Sequence, residues 1–562
     1  MSVIEDMPLL FKKTRRIMIH SRLNIIALLI VSCLCACTKD EPLIQGGEDD
    51  IPTLGDRLDL SEANIKVNPS GYAPLSAQLT VSFPVKGRMR VCVKGKKGPE
   101  TDLSYTFRKY GYNHQEYIHG LYMNSENTIY VSLVDSLENI LLTDSLIITT
   151  PDLMLQSKLP DLQIVVSKPE KMASGVTLVN HLGDNEYDTH RPFIIDAAGD
   201  VRWLLWMKDH PDLKITAHTG LKRLRNGNFF CGDIKTSRFV EFDMVGNLIN
   251  SWDLRPFGYT FHHDVIELPN GHFVATVSKD DSQSINGVST VYDYIIEFDP
   301  VKNTIVKEWD LKQSLDPART AVMLPSELKY AESNWAHANG LCYSESDDCL
   351  IVTLRNQGVF KLSRGNELKW AFAAQKGWNN IVNGYLLNPT DHWGNLINDE
   401  GVKSGKKTHS DFEYVWGAHC PTLMPNGNLL VFDNGLYRHF YEYGFYNSYK
   451  GPDPATGEHA YSRAVEYEID ESRRMIREVW QYGHERYREC YAGGVSSVQY
   501  LPENDHVLFS PGLGTINENG VGGKVIEVDC QTKEVVYEVH VSVPALLAFH
   551  RANRISLYPN NM

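Results

Sequence analysis

The chain has 562 residues, 42% hydrophobic and 10% aromatic, which is enough for one large core plus a smaller one and confines disorder to the ends. Its net charge of -15 excludes a nucleic-acid backbone or an anionic membrane surface as the main partner, and any anion-binding charge must therefore be concentrated locally.

Lys12, Lys13, Arg15, Arg16 and Arg22 precede an apolar run from Ile25 to Ala36 that ends at Cys37. The run is short for a bilayer span and has the layout of a cleaved signal peptide. Leu34-Cys-Ala-Cys37 resembles the lipobox of bacterial lipoproteins, although Cys35 stands where a small residue is usual; the resemblance implies that Cys37 is acylated. Residues 1–37 thus read as a lipoprotein signal and residues 38–55, rich in acids, Gly and Pro, as a flexible tether. An exported lipoprotein of a Gram-negative-type bacterium is expected, held at the outer membrane by its lipid and facing either the periplasm or the exterior. A homodimer stays open.

Residues 56–150 carry alternating runs such as Gln78-Leu-Thr-Val-Ser-Phe83, Met89-Arg-Val-Cys-Val93 and Asn127-Thr-Ile-Tyr-Val-Ser-Leu133, which predict a small β-sandwich. Residues 151–562 then repeat one unit, an apolar strand, a polar turn and a strand bearing an aromatic. Its copies run Phe193–Trp203, Val240–Trp252, Ile296–Trp309, Val359–Trp370, Val465–Trp480 and Val525–Tyr537. The aromatics recur roughly every 50–60 residues, with one interval about twice that. A second hairpin lies between copies, turning at Arg225-Asn-Gly-Asn228, Pro269-Asn-Gly-His272, Pro425-Asn-Gly-Asn428 and Pro502-Glu-Asn-Asp505. Two hairpins per repeat make four strands, so an all-β, six-bladed β-propeller follows, with insertions near 376–410 and 436–460 expected on the active face. The cysteines after Cys37 are odd in number; Cys342 and Cys349, in one short hairpin, are the best local pair for a disulfide.

Histidines recur in phase. His419 precedes Leu429 by the same interval as His263 precedes Phe273, and His218 and His337 hold similar places before Phe229 and Leu350. Equivalent positions on inner strands face one axis, so these imidazoles should meet there, joined by Arg355 at the end of Leu350-Ile-Val-Thr-Leu-Arg355. Such a cationic hole suits a small tetrahedral anion. Either His262 or His263 points inward, since neighbours on a strand alternate; Asn356 and His218 are further candidate substrate contacts. Asp264 and Asp433 are candidates either to orient histidines or to cap turns. No tight His-x-His or Glu-x-x-His spacing suggests a metal site, and none is expected.

Phe261-His-His-Asp-Val-Ile-Glu-Leu-Pro-Asn-Gly271, His337-Ala-Asn-Gly340 through Arg355, Gly417-Ala-His-Cys-Pro-Thr-Leu-Met-Pro-Asn-Gly-Asn-Leu-Leu-Val-Phe-Asp-Asn-Gly435 and Tyr461-Ser-Arg-Ala-Val-Glu-Tyr467 resemble the bacterial arylsulfate sulfotransferase family. The resemblance implies transfer of a sulfuryl group from an aryl sulfate to a phenol without a nucleotide donor and without a cofactor. It implies His419 as the nucleophile that becomes sulfated, and His263, His337 and Arg355 as groups that bind and polarise the sulfuryl oxygens. Ala418 replaces the usual Gln. An aryl sulfatase-like hydrolase and a non-catalytic binding propeller on the cell surface are the competing readings; against the first, Cys420-Pro421 lacks the Cys-x-Pro-x-Arg pattern that yields formylglycine.

Overall fold

The alternating segments are strands in the computed structural model, which describes residues 57–153, 158–182, 190–215, 220–319, 330–438, 460–544 and 546–559. The signal, Cys37 and the tether lie outside the described residues, as does His218.

Five strands (Asn64–Val67, Ser76–Val93, Leu103–His119, Ser125–Val134 and Ile140–Thr150) form the N-terminal domain. They are hydrogen-bonded into one sheet, whose register breaks between Ser82 and Gly87 let it fold over its own apolar face. Leu79, Val81, Met89, Val91, Ile129, Val131 and Leu133, one side of the alternation, are buried there. That core is continuous with the apolar residues of the first two blades, including Trp203 and Phe229. Arg202 crosses between the domains, donating to Gly120 O and Thr101 O (2.8 Å each), and Tyr105 stacks on Tyr558 at 4.5 Å.

Six further sheets are the blades. Blade 2 lies within Lys222–Asp253, blade 3 within Tyr259–Asp310, blade 4 within Ala338–Phe372, blade 5 within His419–Tyr482 and blade 6 within Ser497–Val543. Blade 1 takes three strands, Val176–His181, Phe193–Ile195 and Val201–Leu204, from the start of the domain and its innermost, Phe549–Ile555, from the chain end. In return Asp161–Ser167 adds an outer strand to blade 6, so the two ends of the domain interlock twice.

The repeated aromatic sits on the fourth strand of every blade and hydrogen-bonds the next blade's outer turn. The indole N–H of Trp203 donates to Met244 O (2.8 Å), Trp252 to Pro300 O (3.0 Å), Trp309 to Ser363 O (2.9 Å), Trp370 to the Glu471 carboxylate (3.1 Å) and Trp480 to Cys530 O (2.8 Å). Tyr537 closes the cycle on Asp196 O (3.1 Å). The sequence repeat is thus the seam between blades: an aromatic with a polar tip fills the gap and satisfies a turn carbonyl. Inner turns follow a rule of their own, Asn226 and Asn228 reaching Glu241, His272 reaching Glu297, Asn426 and Asn428 reaching Glu466, and His506 reaching Glu527. Blade 4 inverts the charges, with Lys361 on the strand and Asp347 in the turn (2.5 Å).

Two expectations are corrected. Cys342 and Cys349 are free thiols, because the register sets Cys342 opposite Ile351 and Cys349 opposite Ser344. The insertion near 376–410 also supplies Asn388–Thr390, which pairs in parallel with Met475–Tyr482 on the outer edge of blade 5. Residues 439–459 of the second insertion lie outside the described residues.

Candidate active site

The inner strands of blades 3, 4, 5 and 1 all break register at the same end, between Phe261 and Val265, Ala338 and Gly340, His419 and Thr422, and Phe549 and Ala552. A bulge bends a strand and re-aims its side chains. His263 (φ 49°), His337 (φ 55°) and Cys420 (φ 53°) hold left-handed backbone beside these breaks, a conformation sparsely populated by non-glycine residues and common at functional sites. Gly340 is required for packing: a Cβ there would lie 2.7 Å from Pro421 and 3.0 Å from the Cys420 nitrogen. Asn339 then bonds Ala418 O (3.0 Å), locking the residues beside His337 and His419 together.

His419 is buried. Its Nδ1 lies 2.7 Å from Asn434 Oδ1 and 3.0 Å from Gly417 O. Two acceptors at one nitrogen put the proton on Nδ1 and leave the Nε2 lone pair exposed for chemistry. The Asn434 amide is held in that orientation because its Nδ2 donates to Ala492 O (2.8 Å) and Val495 O (3.1 Å). Burial pushes the His419 pKa down to about 4, and the charges of Arg355 and Arg551 add to that, while the bonds to Asn434 and Gly417 oppose it. The imidazole is therefore neutral at physiological pH.

His263 and His337 meet directly, Nε2 to Nε2 at 3.1 Å, with ring centroids 4.7 Å apart. Across that contact one ring nitrogen donates and the other accepts. His337 Nδ1 is bonded by the Asn334 amide (3.0 Å), and His263 Nδ1 meets His262 Nδ1 at 2.9 Å. His263 is the partly exposed member of its pair, whereas His262 is buried behind it, its pKa pushed down to about 3 by burial. Tyr292 packs edge-on against all three, at 4.5 Å from His262, 5.4 Å from His263 and 5.0 Å from His337.

Arg355 is fixed at its backbone, where its N–H donates to His337 O (3.0 Å), and at its Nε, which donates to Asn356 Oδ1 (3.2 Å). Asn356 is fully buried and gives its Nδ2 to Asn334 O (2.8 Å), so both its polar atoms serve the loop that carries Arg355 and His337. Asp264 hydrogen-bonds no histidine among the described residues. It accepts from Lys222 (2.6 Å), Arg551 (3.0 Å) and Leu341 N (2.9 Å), joining inner strands of blades 1 to 4. Burial raises its pKa, but Arg551 and Lys222 outweigh burial and hold the carboxyl below its usual range. Asp433 likewise anchors Arg438 and Arg463 (2.9 Å each) in a buried network with Glu413 and Glu478, and takes the Trp416 N–H just ahead of His419.

The family model described as arylsulfotransferase (ASST) matches residues 162–547, and the arylsulfotransferase Ig-like domain matches residues 64–151. The chain belongs to the arylsulfotransferase family. It is 31% identical over 391 residues to the arylsulfate sulfotransferase AssT of Escherichia coli O6:H1, and 32% identical over 392 residues to that of Lelliottia amnigena. Each match covers 62% of this chain and 62% of the relative, so the chain spans less than two thirds of the relatives' length. Among solved structures it is similar to a streptogramin B lyase at 13% identity and a TM-score of 0.28, over 68% of this chain and 98% of that one, a likeness too loose to bear on function.

Four of the anticipated residues, His263, His337, Arg355 and His419, come together at the bulged ends of the inner strands, and His262 stands behind them. Asn434, Tyr292 and Arg551 were not anticipated. Asn434 lies in the long quoted motif, but an Asn before Gly reads as a turn residue. Tyr292 lies between strands, where no repeat marks it. A cavity of about 550 Å³ on the flank of blade 5, lined by Phe412, Glu413, Tyr461, Arg463 and His484, has the buried carboxylate network in its wall.

Proposed function

We propose that this protein transfers a sulfuryl group from an aryl sulfate ester to a phenolic acceptor in two displacements, through a sulfated His419. The observation that carries the reading is the Nδ1–H of His419 bonded to Asn434 and Gly417, which leaves a neutral Nε2 as nucleophile. In the first step the Nε2 lone pair forms a bond to sulfur as the bond from sulfur to the aryl oxygen breaks, and the phenolate takes a proton from the His263–His337 pair, which enters the step with one proton more than two neutral rings hold and leaves it neutral. In the second, the same pair takes the proton of the incoming phenol, whose oxygen attacks sulfur and releases His419. Splitting one hard displacement into two gives ping-pong kinetics.

Arg355 and the paired histidines carry the binding of the sulfuryl oxygens. Sulfuryl transfer, like phosphoryl transfer, passes through a loose transition state, so positioning and charge stabilisation do most of the work. The positive charge is local in a chain of net charge -15, as an anionic substrate demands. The reading extends to place: the basic stretch and Cys37 support an exported, lipid-anchored enzyme meeting phenols outside the cytoplasm.

The test is mass spectrometry of the His419 peptide after mixing the full-length protein with 4-nitrophenyl sulfate in the absence of acceptor. An added sulfuryl group that disappears when phenol is supplied, and is absent in His419→Ala, is expected. Turnover with the peptide unmodified throughout would remove the covalent route.

A further inference from the structure

Tyr292 has two properties that packing alone does not require. Its backbone is left-handed (φ 60°), a true outlier for a bulky side chain, and it touches His263 and His337, which are left-handed too. It is held there from both sides, its N–H donating to Ser278 Oγ (3.0 Å) and its carbonyl accepting from Ala338 N (2.9 Å). The ring is thereby fixed against the His263–His337 pair.

Its hydroxyl is the second property. Tyr461, Tyr467 and Tyr537 spend theirs on Glu413 Oε2, Glu413 O and Asp196 O. No hydrogen bond joins the Tyr292 hydroxyl to any described residue, and the residue is partly exposed. Burial pushes its pKa up and the nearby Arg355 charge offsets this only in part, so the phenol keeps its proton and remains a donor.

We propose that Tyr292 is a further catalytic residue whose hydroxyl hydrogen-bonds the bridging aryl oxygen while the bond between that oxygen and sulfur breaks or forms. The proposal rests on the sulfuryl-transfer reading above. The aryl oxygen departs with the electron pair of the broken bond, and its proton comes from the His263–His337 pair; Tyr292 keeps its own proton throughout, so it stabilises charge without entering the proton balance. In the second step it holds the acceptor oxygen in the same place.

A donor aimed at developing charge matters most when that charge is hardest to carry. The experiment compares kcat/KM of wild type and Tyr292→Phe for 4-nitrophenyl sulfate, whose phenolate is stable, and phenyl sulfate, whose phenolate is not, with sulfation of His419 followed in parallel. Y292F should lose about 100-fold on phenyl sulfate and less than about 10-fold on 4-nitrophenyl sulfate. The substitution removes one oxygen that bonds nothing among the described residues, so the fold stands, and sulfated His419 in Y292F demonstrates it. Equal losses on both donors, or no loss, with His419 sulfated would overturn the role of Tyr292 alone. A wild-type His419 that is never sulfated would overturn the transfer reading and this proposal together.

Discussion

Asn434 fixes the tautomer of His419, and tautomer is a residue-scale property with a kinetic signature. Replacing Asn434 with Ala leaves Gly417 O as the sole acceptor at Nδ1 and frees the imidazole to put its proton on Nε2, where no lone pair remains for sulfur. The burst of phenol release should slow about 10–100-fold, as when the orienting partner of a ligating or basic histidine is lost. Asn434→Asp tests the same contact through pH. The wild-type pKa of about 4 places the acid limb of the burst well below the ordinary histidine range, since the nucleophile is lost only as pH falls through that value. A carboxylate at position 434 stabilises the imidazolium, raises the pKa and moves the limb to higher pH, which a burst-rate profile from acid to neutral pH reads directly. The histidines themselves were legible because one chemically distinctive residue type recurs in phase. Asn434 and Tyr292 were not, because orientation and hydrogen-bond partners are fixed by distant backbone groups, the carbonyls of Ala492 and Val495 for Asn434 and the Ala338 N–H, which donates to Tyr292 O.

At the scale of elements, the aromatic on each fourth strand is a joint rather than a core filler. Trp309→Phe removes an indole N–H and with it the hydrogen bond to Ser363 O between blades 3 and 4, leaving that carbonyl the Asn366 N–H (3.0 Å). The cost should be about 0.5–1.5 kcal/mol, the net worth of one hydrogen bond, seen as a lower denaturation midpoint with an unchanged slope against denaturant. The clustered histidines of the proposed site lie at the inner strands and the joints at the outer turns, so kcat should hold while stability falls. The joint was half legible in the sequence: the repeat announced the aromatic and the polar turn, but only the ring shows that each aromatic serves the turn of the following blade. The bulges were not legible at all, since an extra residue in a strand leaves the apolar pattern on either side intact.

For the whole molecule the decisive feature is that the ring is shut by its own chain end. Counting copies gives six blades, yet the copies mark only third and fourth strands, so the count is silent about which segment supplies the inner strand of blade 1. That strand, Phe549–Ile555, covers the edge of Val176–His181 and carries Arg551, which holds Asp264 together with Lys222 and gives a further hydrogen bond to Cys420 (3.5 Å) beside His419. Truncating the chain after Val543 therefore does two separable things: it bares a strand edge, and it leaves a buried carboxylate with one cation fewer. Arg551→Met does only the second, because the long apolar side chain keeps the packing. R551M should be destabilised by about 3–5 kcal/mol while remaining a monodisperse folded protein, the range for removing one partner of a buried ion pair. The truncated chain should instead lose its cooperative thermal transition and aggregate. A truncated protein that melts like R551M would show that the edge, and with it the closure by the chain end, contributes nothing beyond the charge.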